Sequence, residues 1–577
     1  MSIEKKWKVK PTADPALMKK LSSELGMDQI LVNLLIQRGI DTFDKAKTFF
    51  RPKLDMLHDP FLMPDMNKAI DRISKALETK EKILIYGDYD VDGTTAVALT
   101  YSFFKNFTDA LEYYIPDRYD EGYGISYKGI DWAAANGYSL IIALDCGIKA
   151  IEKIDYATEH GVDFIICDHH LPDLKLPQAI AVLDPKRVDS KYLFDDLSGC
   201  GVGFKLIQGY AKFKSLPQEW VNSYLDLVAV SIASDLVSVV GENRILAYYG
   251  LIQLNSHPRK GLLSIIKLSG LENHNITLDD VVFKIGPRIN AAGRMESGRR
   301  AVDLLVSRDD ASAKSIGQEI NVTNNERKTI DREITIEAIN MAKSSPRFDE
   351  KKSTIVFNPN WHKGVVGIVA SRLVEEYFKP TIVFTQSNGL VTGSARSIPG
   401  FDLYEAVEHC HDLLENFGGH MYAAGLTLKL DNLQPFIDKF ENFVASKITT
   451  DMLTPIVDID SYLDFKQITP KFFRIIKQFQ PFGPGNHSPV FITENVYDNG
   501  NGRKVGAKNG HMKLELIQED EPYRYISAIA FNLSDHFEHF HAGNPADVCY
   551  SIAENYFRGI ANVQLRVCDI KEKDELF

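Results

Sequence analysis

A chain of 577 residues is too long for one hydrophobic core, so its length implies three or four domains. It is 44% hydrophobic and 25% charged, as ordinary soluble globular proteins are; no apolar run reaches the ~20 residues of a membrane span, and six scattered cysteines without a CxxC pair exclude a disulfide framework or structural zinc. The net charge of −12 counts only weakly against nucleic acid, because recognition rests on a local basic face rather than on the total.

Met1–Lys10 is polar and no apolar segment follows, so no secretion signal is expected and a reducing cytoplasm is the expected compartment. Residues 1–55 read as a helical lead-in closed by Arg51-Pro52. Within 56–308, short apolar runs at Lys82–Tyr86, Leu140–Leu144, Phe164–Cys167 and Ile180–Leu183 alternate with helical stretches. Runs that are apolar throughout predict strands of a parallel sheet covered on both faces. Residues 309–346 are charged, amphipathic and nearly free of glycine, which predicts one long connecting helix. Ser353–Phe357 and Pro380–Thr385 open a second, smaller α/β unit over 347–450. Over 451–577 the pattern changes to period two at Ile456–Leu463, Val490–Val496, His511–Ile517, Tyr525–Phe531 and Asn562–Val567, which predicts a small β-barrel of oligonucleotide-binding (OB) type.

Three segments carry the chemistry. Asp88-Tyr-Asp90-Val-Asp92-Gly93 follows the first strand, and Gly93-Thr94-Thr95 opens a helix; Asp145 stands where the second strand stops; Asp168-His169-His170 ends the third. The carboxyl ends of parallel strands share one edge, so three strands deliver acids and imidazoles to one crevice. Several carboxylates with one or two imidazoles suit Mn²⁺ or Mg²⁺. So many acids in one crevice repel one another, and two cations bridged by a shared aspartate relieve this while clamping an in-line phosphoryl displacement. Asp184, before Pro185, reads as a turn residue, and so does Asp88. Five basic residues (Lys284, Arg288, Arg294, Arg299, Arg300) against Glu296 are either a nucleic-acid face or a solvated helix face.

The set Asp90-x-Asp92-Gly93, Asp145 and Asp168-His169-His170 resembles the DHH phosphoesterase superfamily. Gly286-Pro-Arg288-Ile-Asn290-Ala-Ala-Gly293-Arg294, Trp361-His362-x-Gly364-Val-Val-Gly367, Gly393-Ser394-Ala-Arg396, Gly418-Gly419-His420 and Pro481-Phe482-Gly483-Pro484-Gly485-Asn486 extend the likeness to its single-strand-specific 5′→3′ exonucleases. The resemblance implies a parallel-sheet DHH catalytic domain, a linker helix, a second, DHHA1-like α/β domain and a C-terminal OB-like barrel. It also implies hydrolysis of single-stranded DNA to 5′-mononucleotides in repair and recombination, alongside a helicase and a single-strand-binding protein, with two Mn²⁺ ions or Mg²⁺ in their place. One metal would take Asp92, Asp145, His169 and Asp235, with Asp226 competing for the last place. The other would take Asp90 and the shared Asp145, and His170 would sit near the scissile phosphate. Arg118, Ser394 and Arg396 would hold the 5′ phosphate, with the Ser394 hydroxyl beside a glycine-rich turn. Arg288, Arg294, Gly419 and His420 would touch the substrate, the glycines letting backbone amides approach a nucleotide.

Two rival readings are a DHH phosphodiesterase of short oligonucleotides, cyclic dinucleotides or pyrophosphate, and a non-catalytic scaffold. The alternating strands after Thr454 count against the first, and the presence of Asp90, Asp92, Asp145 and His169 against the second. Every candidate ligand lies before residue 240, so the sequence predicts a metal cluster that does not depend on the C-terminal segment.

Overall fold

The computed structural model describes residues 3–521, 523–557 and 560–573. They form two compact units: Lys47–Arg327 with Gln480–His487, and Met1–Ala46 with Lys328–Phe479 and Ser488–Phe577.

The chain begins with a strand where a helical lead-in is predicted. Lys6-Trp7-Lys8-Val9 alternates polar and apolar residues, and as β1 (Lys6–Val9) it pairs in parallel with Ile456–Ile459. Trp7 Nε1 donates to Asp569 and Lys10 Nζ to Asp460, each at 2.7 Å, so this segment belongs with the C-terminal strands. Helices α1 (Pro15–Leu25) and α2 (Gln29–Ile36) follow, N-capped by Asp14 and Asp28.

In the 47–327 unit, β2 (Lys82–Gly87), β3 (Leu111–Tyr114), β4 (Tyr138–Leu144), β5 (Asp163–Cys167) and β6 (Ala181–Leu183) form an all-parallel sheet in the order β3-β2-β4-β5-β6. Alternate residues divide between two cores. Ile83, Ile85, Leu140, Ile142 and Ile165 pack with helices α3 (Val91–Phe104), α4 (Gly199–Phe213) and α5 (Leu225–Ser234). Leu84, Tyr86, Ile141, Phe164 and Ile166 face the helices Tyr127–Ala135 and Ile151–Glu159. Burial on both faces is why these strands read as unbroken apolar runs. The edge strand β3, Leu-Glu-Tyr-Tyr, is half-buried and gives no such run. From β2 the chain steps to β3 on one side and then to β4 on the other, so the topological switch lies between β2 and β4. Crevices for ligands form at the carboxyl ends there. Helix α6 (Gly286–Met295) and the long α7 (Asp310–Ser344) complete the run, α7 crossing the boundary between the units as one 35-residue helix.

In the other unit, β7 (Thr354–Phe357), α8 (Val366–Tyr377), β8 (Thr381–Ser387), β9 (Leu390–Arg396), β10 (Asn416–His420), β11 (Ala423–Leu428) and α9 (Leu433–Lys447) form an α/β domain with strand order β10-β11-β9-β8-β7. Only β7 and β8 are parallel. Ser394 and Arg396 lie on strand β9 and not at the glycine-rich turn their sequence predicts. The glycines are tolerated there because Gly393 faces Phe384, whose ring would stand 2.5 Å from a Cβ.

Beyond β12 (Ile456–Ile459) and β13 (Ser461–Tyr462) come β14 (Val490–Asp498), β15 (Arg503–Val505), β16 (His511–Gln518), β17 (Ile526–Ala530), β18 (Ala546–Phe557) and β19 (Ile560–Glu572). Because β14 pairs with both β18 and β16, while β19 joins β18 to β17, the strands close in the order β14-β16-β17-β19-β18. The β17–β19 pair is parallel, and the closed ring is an OB barrel. Strand β18 (Ala546–Phe557) is absent from the period-two reading. Residues 480–487 leave this domain and pack within the 47–327 unit, which breaks the continuous 451–577 segment predicted from sequence.

Candidate metal centre

Four loops meet at the switch point. Asp90 N-caps α3, which starts at Val91, two residues before the predicted opening; its Oδ1 accepts from the Gly93 amide at 2.9 Å. Gly93 is required there, because a Cβ would lie 2.5 Å from the Asp88 carbonyl oxygen. Asp92, in the first turn of α3, accepts from the Gly199 and Cys200 amides at 2.6 and 2.8 Å and from the Ser231 hydroxyl at 2.6 Å. The N-terminus of α4 thus holds this carboxylate as it would hold an anion. Asp145 ends β4 with φ at +59°, and Gly199 lets it approach, since a Cβ at 199 would stand 2.6 Å from its Oδ1. His169 Nε2 lies 3.1 Å from Asp145 Oδ1, 3.6 Å from Asp235 Oδ2 and 3.7 Å from Asp92 Oδ2. Asp235 caps the C-terminus of α5, its amide on the Ser231 carbonyl at 2.9 Å.

Asp168 has a different role. It accepts from the Ile148, His169 and His170 amides and from His170 Nδ1 at 2.7 Å. Burial pushes its carboxyl up, but the hydrogen bond and charge of His170 overcome this and hold it below the usual range. Burial would push His170 down, yet Asp168, and then Asp235 and Asp92, raise it to about 9. His170 Nε2 faces the Tyr123 hydroxyl at 3.2 Å.

The remaining acids are stressed. Burial first, and then Asp92, push Asp90 up. Burial, Asp92, Asp90 and Asp235 push Asp145 well above its ordinary value, and burial, Asp92 and Asp90 lift Asp235 to about 8. Burial pushes His169 down, toward the neutral imidazole that binds metals. Among the described residues, Asp145 Oδ1 and both ring nitrogens of His169 are buried without a hydrogen-bond partner. Unpartnered oxygen and nitrogen donors, arranged among repelling carboxylates, fit a divalent cation. Two ligand groups are within reach of an ion: Asp92, His169 and Asp235, and Asp145, His169 and His170. Asp90 lies beside them, its carboxylate on the Gly93 amide.

Other predicted residues are placed as follows. Asp226 is fully buried in a two-pronged pair with Arg259, at 2.6 and 2.9 Å, which takes it out of the cluster and leaves Asp235 there. Asp184 accepts the Lys186 amide at 2.7 Å, as a turn residue does, though it is also buried. Asp88, read as a turn residue, is fully buried, its Oδ1 accepting from the Gly124 amide of a neighbouring loop at 3.3 Å, and burial and Asp90 push it well up. The Arg118 guanidinium lies over the Tyr89 ring at 5.0 Å, next to Asp88 and Asp90 in sequence. Arg288 donates to Asn321, the Lys284 carbonyl and the Leu268 carbonyl. Lys284, Arg299 and Arg300 are paired with Asp280, Glu112 and Glu319, so most of this basic run is a solvated face. Arg294 remains nearest the cluster: its helix abuts the acidic loop, where a Cβ on Gly293 would meet the Tyr89 carbonyl at 2.3 Å.

In the other unit, Arg396 Nη1 donates to Ser394 Oγ at 3.0 Å. Gly367, in the first turn of α8, faces both, its Cβ position 3.0 Å from Arg396 Nη2 and Ser394 Oγ. Gly419 has φ at +149°, and its missing Cβ admits the Ala423 carbonyl of the adjoining strand. His420 Nδ1 accepts from the Tyr422 amide at 3.3 Å. Sequence reasoning missed Ser231, Tyr123 and the Gly199 and Cys200 amides. Ser198-Gly-Cys-Gly, a capping serine before glycines, was the available signal for an amide cradle.

The carboxylate and imidazole cluster on a parallel sheet, with an α/β domain and an OB barrel after it, defines a metal-dependent phosphoesterase of DHH type. Residues 82–232 match the DHH family, N-terminal domain, 350–446 the DHHA1 domain and 459–569 the RecJ OB domain. The chain is 35% identical over 566 residues to the single-stranded-DNA-specific exonuclease RecJ of Bacillus subtilis, covering 98% of this chain and 70% of that one. It is 31% identical over 540 residues to that of Haemophilus influenzae, covering 90% and 93%. The chain therefore belongs to the RecJ family of exonucleases. Its fold is that of Thermus thermophilus RecJ in complex with Mn²⁺, with a TM-score of 0.84 at 24% identity over 99% of this chain and 80% of that one. A second structure, exonuclease RecJ bound to manganese, matches at 29% identity and a TM-score of 0.59 over 69% and 97%. No helix among the described residues is long and apolar enough to cross a membrane.

Proposed function

We propose that this chain hydrolyses single-stranded DNA from its 5′ end, releasing 5′-mononucleotides, in DNA repair and recombination. The carrying observation is the acid and imidazole cluster at the switch point of a RecJ-family sheet, in which Asp145 Oδ1 and both ring nitrogens of His169 are buried without a hydrogen-bond partner. Asp92, Asp145, His169 and Asp235 would hold one divalent ion and Asp90 with Asp145 a second, Mn²⁺ or Mg²⁺. Bound there, the ions supply an activated water and charge neutralisation at the phosphate. Asp92 is fixed by its amide cradle, and Asp168 orients His170 and raises its pKa, so that His170 would face a phosphate oxygen as a cation.

Polarity would come from the Ser394, Arg396 and Gly367 group, a guanidinium fork, a hydroxyl and a helix N-terminus, which suit a terminal phosphate. Arg118 and Arg294 in the one unit, and Gly419 and His420 in the other, would each touch the strand. The barrel would grip the strand downstream, which a phosphodiesterase of dinucleotides has no use for. A helicase and a single-strand-binding protein are the expected partners, in the cytoplasm. The test follows 5′-labelled and 3′-labelled single strands with Mn²⁺, Mg²⁺ or EDTA. Labelled mononucleotide released first from the 5′ end, in metal only, is expected; release from the 3′ end overturns the polarity.

A further inference from the structure

We infer that the loop Gln480–His487 is a positioning element of the metal centre, holding the segment that carries Asp235. The inference rests on Asp235 being a metal ligand.

After α5 the chain runs through Asp235-Leu236-Val237-Ser238-Val239-Val240 to the next helix. Only one end of this segment is fixed by regular structure near the cluster, the Asp235 amide on the Ser231 carbonyl. The next residue, Leu236, has φ at +58° with its side chain mostly exposed. A left-handed leucine costs on the order of 1–2 kcal/mol and persists only where its surroundings impose it. Asp196 and Asn243 supply part of that constraint by bonding the Ser238 amide and carbonyl.

The rest comes from residues some 240 positions later in the chain. The Val239 amide donates to the Pro484 carbonyl at 2.7 Å. Gly483 lies so close to Val239 that a Cβ would stand 2.4 Å from its Cγ2, while Gly485, with φ at +74°, has its Cβ position 3.1 Å from Val240 Cγ1 and 3.4 Å from Ser238 Cβ. The loop is itself stiff. Gly483 and Asn486 exchange two backbone hydrogen bonds of 3.0 Å, and the buried Asn486 side chain donates to the Pro481 carbonyl at 2.8 Å. Arg244, on the helix after Val240, donates to the Gln480 carbonyl at 3.0 Å. Val239 is almost wholly buried by this arrangement. The glycines of Pro-Phe-Gly-Pro-Gly-Asn therefore serve close approach to the Asp235 segment, a use for the motif that neither the barrel nor the DNA path requires. It also runs against the expectation that the metal cluster does not depend on the segment from about residue 455 onward.

The test measures Mn²⁺ binding to the full chain directly, by the electron paramagnetic resonance signal of free Mn²⁺, with DNA binding in EDTA as a second readout. Gly483→Ala and Asn486→Ala should each weaken Mn²⁺ binding by about tenfold, as loss of an outer support does. Single-strand affinity in EDTA should stay at the wild-type value. Asp235→Asn separates the two claims. If it leaves Mn²⁺ binding unchanged, the ligand assignment falls; if it weakens binding while both loop variants bind Mn²⁺ like wild type, the positioning role falls alone. Should one loop variant fail to fold, the other decides. Loss of the native fold in both would make the loop a folding element and overturn the inference equally.

Discussion

Ser231, on α5, donates its hydroxyl to Asp92 Oδ1 at 2.6 Å, and Ser198, which caps α4, shares the same hydroxyl at 2.6 Å. Asp92 is thereby tied to two helices at once, through Ser231 and through the Gly199 and Cys200 amides. Ser231→Ala leaves the amides in place and removes one charge-assisted bond, of a kind worth about 1.5–3 kcal/mol net. Removing the outer partner of a ligating carboxylate typically lowers metal affinity by roughly 10–100-fold. The Mn²⁺ concentration for half-maximal nuclease activity should therefore rise, with activity recovered at excess Mn²⁺. A lower rate that no amount of Mn²⁺ restores would take Ser231 out of the ligand support.

Asp145 and Asp184 both end sheet strands, yet they should respond oppositely to amidation. Asp145→Asn removes an unpartnered ligand oxygen and should lower activity by at least about a hundredfold, or ~2.7 kcal/mol of barrier. Asp184 touches no ligand group, and burial, followed by the charge of Asp168, lifts it from 3.8 to about 7. A carboxyl raised in the folded state favours the fold while protonated. Its contribution is complete below about pH 4 and is lost as pH rises through about 7. Asn cannot ionise and escapes that loss. Urea unfolding in EDTA should find Asp184→Asn more stable relative to wild type at about pH 8 than at about pH 5, with most of the activity kept. A relative stability that falls with pH would contradict this sign.

The parallel sheet was legible because burial on both faces leaves an unambiguous apolar signature, and the strand-end acids because topology alone gathers them. Asp235 was not separable from Asp226 by sequence, since each is an aspartate in the same apolar helix region. Only Arg259, more than thirty positions away, decides which one is neutralised. The partners of Arg288 were equally hidden: its acceptors are two carbonyls and an asparagine brought in by folding. Glycine-rich stretches read as turns, whereas in β9 and β10 glycine answers to a neighbouring ring or strand. The Pro481–Asn486 loop carries its meaning wholly in long-range packing.

The proposed phosphate grip of Ser394 and Arg396 yields a specific expectation for Gly367. A methyl group there would stand 3.0 Å from both Ser394 Oγ and Arg396 Nη2, in the space a phosphate oxygen would use. Gly367→Ala and Arg396→Ala should each reduce the preference for 5′-phosphorylated over 5′-hydroxyl strands. Hydrolysis of a 5′-hydroxyl strand should change little. Competition between the two labelled ends measures the preference directly. An unchanged ratio in both variants would move the end sensor elsewhere.

The barrel's outer face carries the last expectation. Strand register places Arg503 opposite Lys513, Lys513 opposite Ile529, and Ile529 opposite Arg566, so the three cations form one row across β15, β16, β17 and β19. All three are exposed. Phe531, two residues along β17's path from Ile529, is also exposed, with the Arg566 guanidinium 5.9 Å from its ring and His511 packed at its edge. Cations in a row with an open aromatic face are what a single strand needs, since phosphates take the charge and bases stack. Replacing Arg503, Lys513 and Arg566 together by Ala should remove up to three phosphate contacts. On single strands each contact is worth about 0.7 in the slope of log affinity against log salt, so the slope should flatten by about 2. Phe531→Ala should weaken binding by about 1–3 kcal/mol while leaving the slope alone, because stacking releases no counterions. Oligomers of a few nucleotides should be hydrolysed normally by both variants. Replacing Lys19, Lys75 and Lys343, exposed cations elsewhere, controls for the change in net charge. An equal slope in the barrel and control variants would show that this row does not touch DNA and that the barrel serves a protein partner instead.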